Sequence, residues 1–332
     1  MEKALYKRIK GLLICLGLGL ALTGCKKADS AVNSEEKITL NIAYQYGLAY
    51  TPVIVAKEQN LIEKSYKEIT GKEISVVWTQ MSSGADINTG IASGNLDVGF
   101  MGTAPAITGT LKGVGYKVFT NLSGQEHRLM TNDETLCSLN DLINSNSQIA
   151  LVNIGSIQHI ILAKSLYQAG YDPHILDSNL VAMKHTDGMT ALESGNVACH
   201  LTSSPYIYME EKNKELHEIP EISEVWSEED SFIVGVASES LYNENQELYL
   251  ALCDAITEAV DYTNNNMEEV AKITCELNGN SVDQELEYLQ KGNYAVETKN
   301  LFSLAAFMAE AGFIEKAPES YTDLAFENVS GD

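Results

Sequence analysis

Apolar positions along this chain recur with two alternating periods. Ile38, Leu40, Ile42, Tyr44 and Tyr46 stand at every second residue, the period of a strand. Thr51-Pro52 then opens a run at helical spacing to about Lys64, with Thr51 placed as its N-cap. The pattern continues as a strand over 73–80, a helix over 85–93 behind Ser82-Ser83-Gly84, a strand over 98–101, a helix over 104–111 and a strand over 116–122. From His127 it restarts. Strands are predicted over 128–131, 148–153, 180–184, 197–202 and 232–237, and helices over 157–168, 186–194 and from Ser204-Pro205 onward. Beyond 247 the spacing is helical, over 247–265, 268–277, 282–291 and 300–311. Strand–helix alternation of this kind predicts mostly parallel sheets with right-handed crossovers.

The two halves echo one another. Gly90, Gly94-Asn95-Leu96-Asp97 is matched by Leu192-Glu193-Ser194-Gly195-Asn196-Val197, each followed by a short strand and a Pro-started helix. Two α/β lobes are therefore expected: residues 38–128 begin the first, 129–231 form the second, and 232–332 return to the first with the C-terminal helices covering it. The chain would cross near Gln125–Arg128 and again near Glu228–Phe232.

The N-terminus changes the picture. Lys3, Lys7, Arg8 and Lys10 precede an apolar stretch from Leu12 to Leu22 of secretory-signal length. Leu22-Thr23-Gly24-Cys25 resembles a bacterial lipobox, which makes 1–24 a signal peptide, Cys25 the lipidated residue and 25–37 a polar tether. The expected location is the outer face of the cell membrane, held by the lipid. The whole chain carries 22 Lys and Arg against 46 Asp and Glu, a formal charge of −24. Losing four basic residues and Glu2 with the signal leaves 18 against 45, or −27. Such a surface repels nucleic acid. Cys137, Cys199, Cys253 and Cys275 show neither CxxC nor metal-ligand spacing, and unpaired, mostly buried thiols are favoured over a disulfide framework.

Candidate chemistry collects where strands end and helices begin. Ser83-Gly84, Thr103-Ala104 and Gly155-Ser156 each offer backbone N–H groups, small hydroxyls and the positive end of a helix dipole. In open α/β sheets such loops bind ligands. Arg128, the one arginine outside the signal, either pairs with an anion or serves as an exposed hinge residue. Tyr44, Tyr46, Tyr50 and Tyr206 would suit a flat or partly apolar ligand. His159, His185 and His200 lie near the same loops, where packing or capping is the commoner role and a base or ligand contact the rarer one. No P-loop, HExxH or GxSxG occurs.

Several stretches in order carry a family resemblance. Gly94-Asn95-Leu96-Asp97-Val98-Gly99 followed by Gly102-Thr103-Ala104-Pro105 resembles the solute-binding proteins of nitrate, sulfonate and taurine transporters, a superfamily that also holds binders of a thiamine pyrimidine precursor. Tyr44-Gln45-Tyr46-Gly47-Leu48-Ala49-Tyr50-Thr51-Pro52, Asn153-Ile154-Gly155-Ser156, the stretch His185 to Gly195 with Asp187, and His200 to Tyr206 with Ser203 are similar to other segments of that family. The resemblance implies a two-lobed, type II periplasmic-binding-protein fold with two mostly parallel sheets and a hinge. It implies a monomer that closes on a small solute and passes it to an ABC permease and its ATPase, without cofactor, metal or catalysis. Ligand contacts are then expected from Tyr44, Gln45, Tyr46, Tyr50, Ser83, Gly84, Thr103, Ala104, Arg128, Gly155, Ser156, Asp187, Ser203 and Tyr206. The solute the resemblance implies is a sulfonate, nitrate or similar oxyanion, with a neutral heteroaromatic as the alternative. A pyrimidine-synthase-like enzyme of the same superfamily is the alternative of another class; its cysteine-rich motif has no counterpart around Cys137 or Cys199.

Overall fold

The computed structural model describes residues 38–331; the signal segment, Cys25 and the tether lie outside the described residues. The chain opens with β1 (Thr39–Tyr44), α1 (Thr51–Glu58), α2 (Leu61–Thr70), β2 (Ser75–Gln80), α3 (Gly84–Ala92), β3 (Val98–Gly102), α4 (Thr103–Leu111) and β4 (Tyr116–Ser123). It continues through β5 (His127–Thr131), α5 (Leu139–Asn144), β6 (Ile149–Leu151), α6 (Ile157–Gln168), β7 (Leu180–Ala182), α7 (His185–Glu193), β8 (Cys199–Ser203), α8 (Tyr206–Glu210) and β9 (His217–Ile219). Then follow β10 (Ile233–Ser238), α9 (Glu239–Glu244), α10 (Gln246–Asn265), α11 (Met267–Asn278), α12 (Val282–Leu289) and α13 (Leu301–Glu310).

Two five-stranded sheets result, ordered β2-β1-β3-β10-β4 and β7-β6-β8-β5-β9. In the first, β1 pairs parallel with β2 and β3, while β10 runs antiparallel between β3 and β4. The second repeats this, with β6 parallel to β7 and β8 and with β5 antiparallel between β8 and β9. Four strands of each sheet share a direction, as alternation predicts. The fifth is the strand that has just crossed from the other sheet. It must enter reversed, because its connection is a direct crossing and not a helical crossover.

Local chemistry accounts for most element ends. Ser83, Ser138 and Ser156 accept hydrogen bonds from backbone N–H groups three residues on, capping α3, α5 and α6. The helix expected over 51–64 is two, because Asn60 adopts the left-handed conformation between α1 and α2. β9 and α9 have no counterpart in the apolar pattern; β9 is three residues long and is defined by pairing with β5.

The two crossings run side by side. Phe232 N–H donates to Ser123 O at 2.9 Å, and the Trp226 indole donates to Gln125 O at 2.9 Å. A Cβ on Gly124 would come within 2.1 Å of the Glu228 carbonyl oxygen, so only glycine lets the backbones approach this closely. Among the C-terminal helices, α10 packs on α2 and α1. Tyr288 in α12 meets Tyr208 in α8, and Phe313 after α13 stands edge-on to His159 in α6, at 4.9 Å between rings. The C-terminal segment thus touches elements of both sheets. Among the described residues no helix is long and apolar enough to cross a membrane, Cys137, Cys199, Cys253 and Cys275 are free thiols, and no cluster of metal-binding side chains is present.

Candidate functional site

Parallel strands β1, β3, β6 and β8 end at one cavity of about 480 Å³. Its lining draws on the loops after β1 (Gln45, Tyr46), after β6 (Asn153 to Ser156) and after β8 (Ser203, Ser204), and on the end of β3 at Gly102. Helices α3, α6 and α7 begin at its edge, at Gly84, Ile157 and His185. The first N–H groups of a helix lack intrahelical partners and carry the positive dipole end. Ile154, Ile157, Ile160, Phe232, Met308 and Phe313 supply an apolar wall.

Charge is distributed unevenly. Lys112, Lys184 and His185 line the cavity, and no aspartate or glutamate does, in a chain with 46 of them. Lys184 stands at the N-cap of α7, with its ammonium 5.7 Å from the centre of the Tyr46 ring across the cavity. Gln125, on the first crossing, is 3% exposed and lines the cavity with neither amide atom hydrogen-bonded. A buried amide left unpaired costs about 1–3 kcal/mol, which a polar ligand would recover.

The loop before α6 is held from behind. Gly155 N–H donates to His159 Nδ1 at 3.1 Å, and His159 Nε2 faces Asp177 Oδ1 at 2.9 Å. Because Nδ1 accepts, Nε2 carries the hydrogen and donates to Asp177. Burial lowers the His159 pKa, with Asp177 opposing, so this histidine is a neutral brace for the Gly155-Ser156 loop.

Of the residues singled out in the sequence, Gln45, Tyr46, Tyr50, Gly84, Gly155, Ser156, Ser203 and Tyr206 line the cavity. Six do not. Tyr44 is buried edge-on to Trp78. The Ser83 hydroxyl is taken up by Asp86 as the cap of α3. Thr103 is buried, its hydroxyl donating to the carbonyls of Ser231 and Phe232 and its N–H to Phe232 O, so it ties α4 to the returning chain. Ala104 is buried beside it, and Asp187 is exposed on α7.

Arg128 is enclosed by carboxylates. It pairs with Glu126 at 2.8 Å, with Glu211, and with Glu218 at 3.5 Å. Burial works against its charge, but the bond to Glu126 and the three nearby carboxylates outweigh this and raise its pKa. Its charge is therefore spent between β5, β9 and the end of α8. Arg128→Ala is expected to leave ligand affinity within about twofold and to cost about 1–2 kcal/mol of stability by leaving three carboxylates together. Urea denaturation alongside titration calorimetry would show both; a tenfold loss of affinity would return Arg128 to the site.

Lys112, Lys184, Gln125, Met308 and Phe313 enter the cavity without a motif to announce them, whereas His185 opens a stretch already noted in the sequence and Gln158 closely follows the Gly155-Ser156 loop. The two lysines stand at helix ends, a position that elsewhere is merely solvated, and Met308 and Phe313 arrive from the far end of the chain.

A family model described as the NMT1-like family matches residues 33–277. No curated protein matches the chain. Among solved structures, the chain is similar to the periplasmic aliphatic sulphonate binding protein SsuA from Escherichia coli, at 17% identity, covering 88% of this chain and 93% of that one with TM-score 0.67. The alkanesulfonate-binding protein SsuA from Xanthomonas axonopodis pv. citri, bound to MOPS, is 13% identical, with 90% and 99% covered and TM-score 0.69. The Candida albicans CA3427 gene product, described as having the generic periplasmic binding protein fold, is 15% identical, with 85% and 92% covered and TM-score 0.66. At these identities the likeness establishes the fold, which is that of periplasmic binding proteins.

Proposed function

The chain belongs to the NMT1-like family, and from that premise we propose that it is the solute-binding subunit of an ABC importer, taking an organic oxyanion of the alkanesulfonate class. The observation that carries this reading is the cavity's charge: two lysines, three helix starts and no carboxylate, inside a strongly acidic protein. The oxyanion would sit against the starts of α3, α6 and α7. Its organic tail would lie on Ile154, Ile157, Met308 and Phe313. A volume of about 480 Å³ is in the range of small organic ligands and far beyond the needs of nitrate or bicarbonate. The two adjacent crossings would serve as the hinge, closing the lobes over the solute and drying the helix ends. The lipobox at Cys25 supports an extracytoplasmic, lipid-held protein, which in this reading acts as a monomer, hands its solute to a permease and does no chemistry on it.

The Tyr206 ring lies 5.2 Å from that of His185, tilted by 30°. This flat wall favours a second reading, a pyrimidine vitamin precursor. A thermal-shift panel of butane- to octanesulfonate, taurine, nitrate, bicarbonate and a pyrimidine precursor separates the two. A ligand at 100 times its Kd stabilises by about 2.7 kcal/mol. Alkanesulfonates are expected to raise Tm, and nitrate and bicarbonate are not. A response to the pyrimidine alone would replace the first reading with the second.

A further inference from the structure

Behind the cavity wall formed by the second sheet, four side chains stand in line. Gln158 Nε2 lies 3.4 Å from His185 Nε2, His185 Nδ1 lies 3.1 Å from His200 Nε2, and His200 Nδ1 lies 2.6 Å from Glu210 Oε1. Gln158 and His185 line the cavity, whereas His200 and Glu210 are 0% exposed. Helix α7 presses on the line at Gly188, where a Cβ would come within 2.6 Å of His200 Nε2, and this holds the imidazole in place.

Each link holds one hydrogen, so the two tautomers must run in the same direction. With Glu210 ionised, His200 donates Nδ1–H to it and accepts at Nε2 from His185 Nδ1–H. His185 Nε2 then presents a lone pair. When a proton enters at His185 Nε2, the Nδ1 hydrogen passes to His200 Nε2, and the His200 Nδ1 hydrogen passes to Glu210 Oε1. Two hydrogens in the line become three, and the cavity end changes from acceptor to donor. Gln158 follows by turning its amide, accepting from His185 and pointing its NH2 group into the cavity.

We infer that Gln158, His185, His200 and Glu210 form a proton relay that sets the polarity of this wall, so that an oxyanion is bound together with one proton. The inference rests on the reading of the cavity as an anion site.

The buried end favours the protonated form near neutrality. Glu210 Oε2 is buried with no hydrogen-bond partner, which an ionised carboxylate tolerates poorly. Burial, and then repulsion from Glu193 in α7, push the Glu210 carboxyl up to about 8. Burial lowers His200 to about 3, and burial together with His200 holds His185 well below its ordinary value, so neither ring competes for a full charge. The surrounding elements supply no counter-charge. On β5, burial first and then His185 hold His127 uncharged, and Arg128 is engaged with Glu126, Glu211 and Glu218. The β5 and β6 residues paired with His200 are Met130 and Ala150. On α7, Lys184 and Asp187 flank the His185 end at the surface; on α8, Tyr206 stacks on His185 and Tyr208 bonds Ser204; on α6, His159 is taken by Asp177.

Two measurements on the full-length protein decide the matter. The first follows the imidazole nitrogens by 15N NMR between pH 6 and 9.5 without ligand. His185 and His200 are expected to exchange tautomer together in a single step, as coupled sites do. The second measures the Kd of hexane-1-sulfonate, which stays ionised throughout, over the same range. Affinity should be constant below the step and weaken by about tenfold per pH unit above it. In Glu210→Gln the slope should vanish whichever way the new amide turns, because that side chain has no proton to gain. Independent titration of the two rings, a flat Kd in the natural protein, or a slope that survives in E210Q would each overturn the relay. If hexane-1-sulfonate binds at no pH, the anion reading falls, while the nitrogen spectra still decide the relay. They also decide it if E210Q does not fold.

Discussion

Replacing Lys184 with glutamate is expected to weaken binding of an alkanesulfonate by about 10- to 100-fold. Lys184 is one of two ammonium groups in a cavity without carboxylates, and it faces Tyr46 from the opposite wall. Turning an attraction into a repulsion between unit charges about 6 Å apart changes the energy by about 1.5–3 kcal/mol at an effective dielectric of about 40–70, that of a site open to water, which corresponds to that span in Kd. Reversal places a repulsive charge where an attractive one stood. Lys184→Ala should therefore lose about half as much free energy, about 3- to 10-fold in Kd. Lys72→Glu, at an exposed position outside the cavity lining, should change little once salt screens it. Calorimetric titration at low and moderate salt measures all three. Equal effects from Lys72 and Lys184 would mean that net charge, and not the cavity, attracts the ligand.

Phe100→Ala is expected to cost about 3–5 kcal/mol of stability, read from the denaturant midpoint. Phe100 is 0% exposed in β3 and sits edge-on to Phe119, with ring centres 5.8 Å apart. The site cannot collapse to fill the space. Its partner across the sheet is Gly235, where even a Cβ would lie 2.6 Å from Phe119, so the surrounding backbone is already at contact distance. Tyr46→Ala offers the comparison, since its ring is 56% exposed and its loss should cost little stability. A Phe100 variant as stable as Tyr46→Ala would show that the first sheet repacks freely.

The repeat within the chain was legible because it is written locally. Gly94-Asn95 and Gly195-Asn196 each end a helix and turn into a short strand, and the structure places α3–β3 and α7–β8 at corresponding positions of the two sheets. The loops before α3 and α6 could be recognised as helix starts because Ser83 and Ser156 cap them with their own side chains. Thr103 shows where such reasoning stops. Its sequence context is as good a helix start as the others, but its hydroxyl and N–H are taken by the second crossing, at Ser231 and Phe232, about 130 residues later.

By itself, then, the sequence determined the order of most strands and helices, the two-fold repeat and several of the loops that line the cavity. Periods of two and 3.6 residues, glycine turns and serine caps act within a few positions, so they can be read without knowing the fold. Only the tertiary structure decided which polar groups stay free for a ligand. Arg128 is claimed by Glu211 from 83 residues away, while Lys112, Lys184, Met308 and Phe313 are carried into the cavity without a local signal. A hydrogen-bonding or charged group goes to whichever partner the packed chain brings nearest, and that choice is made by contacts far apart in sequence.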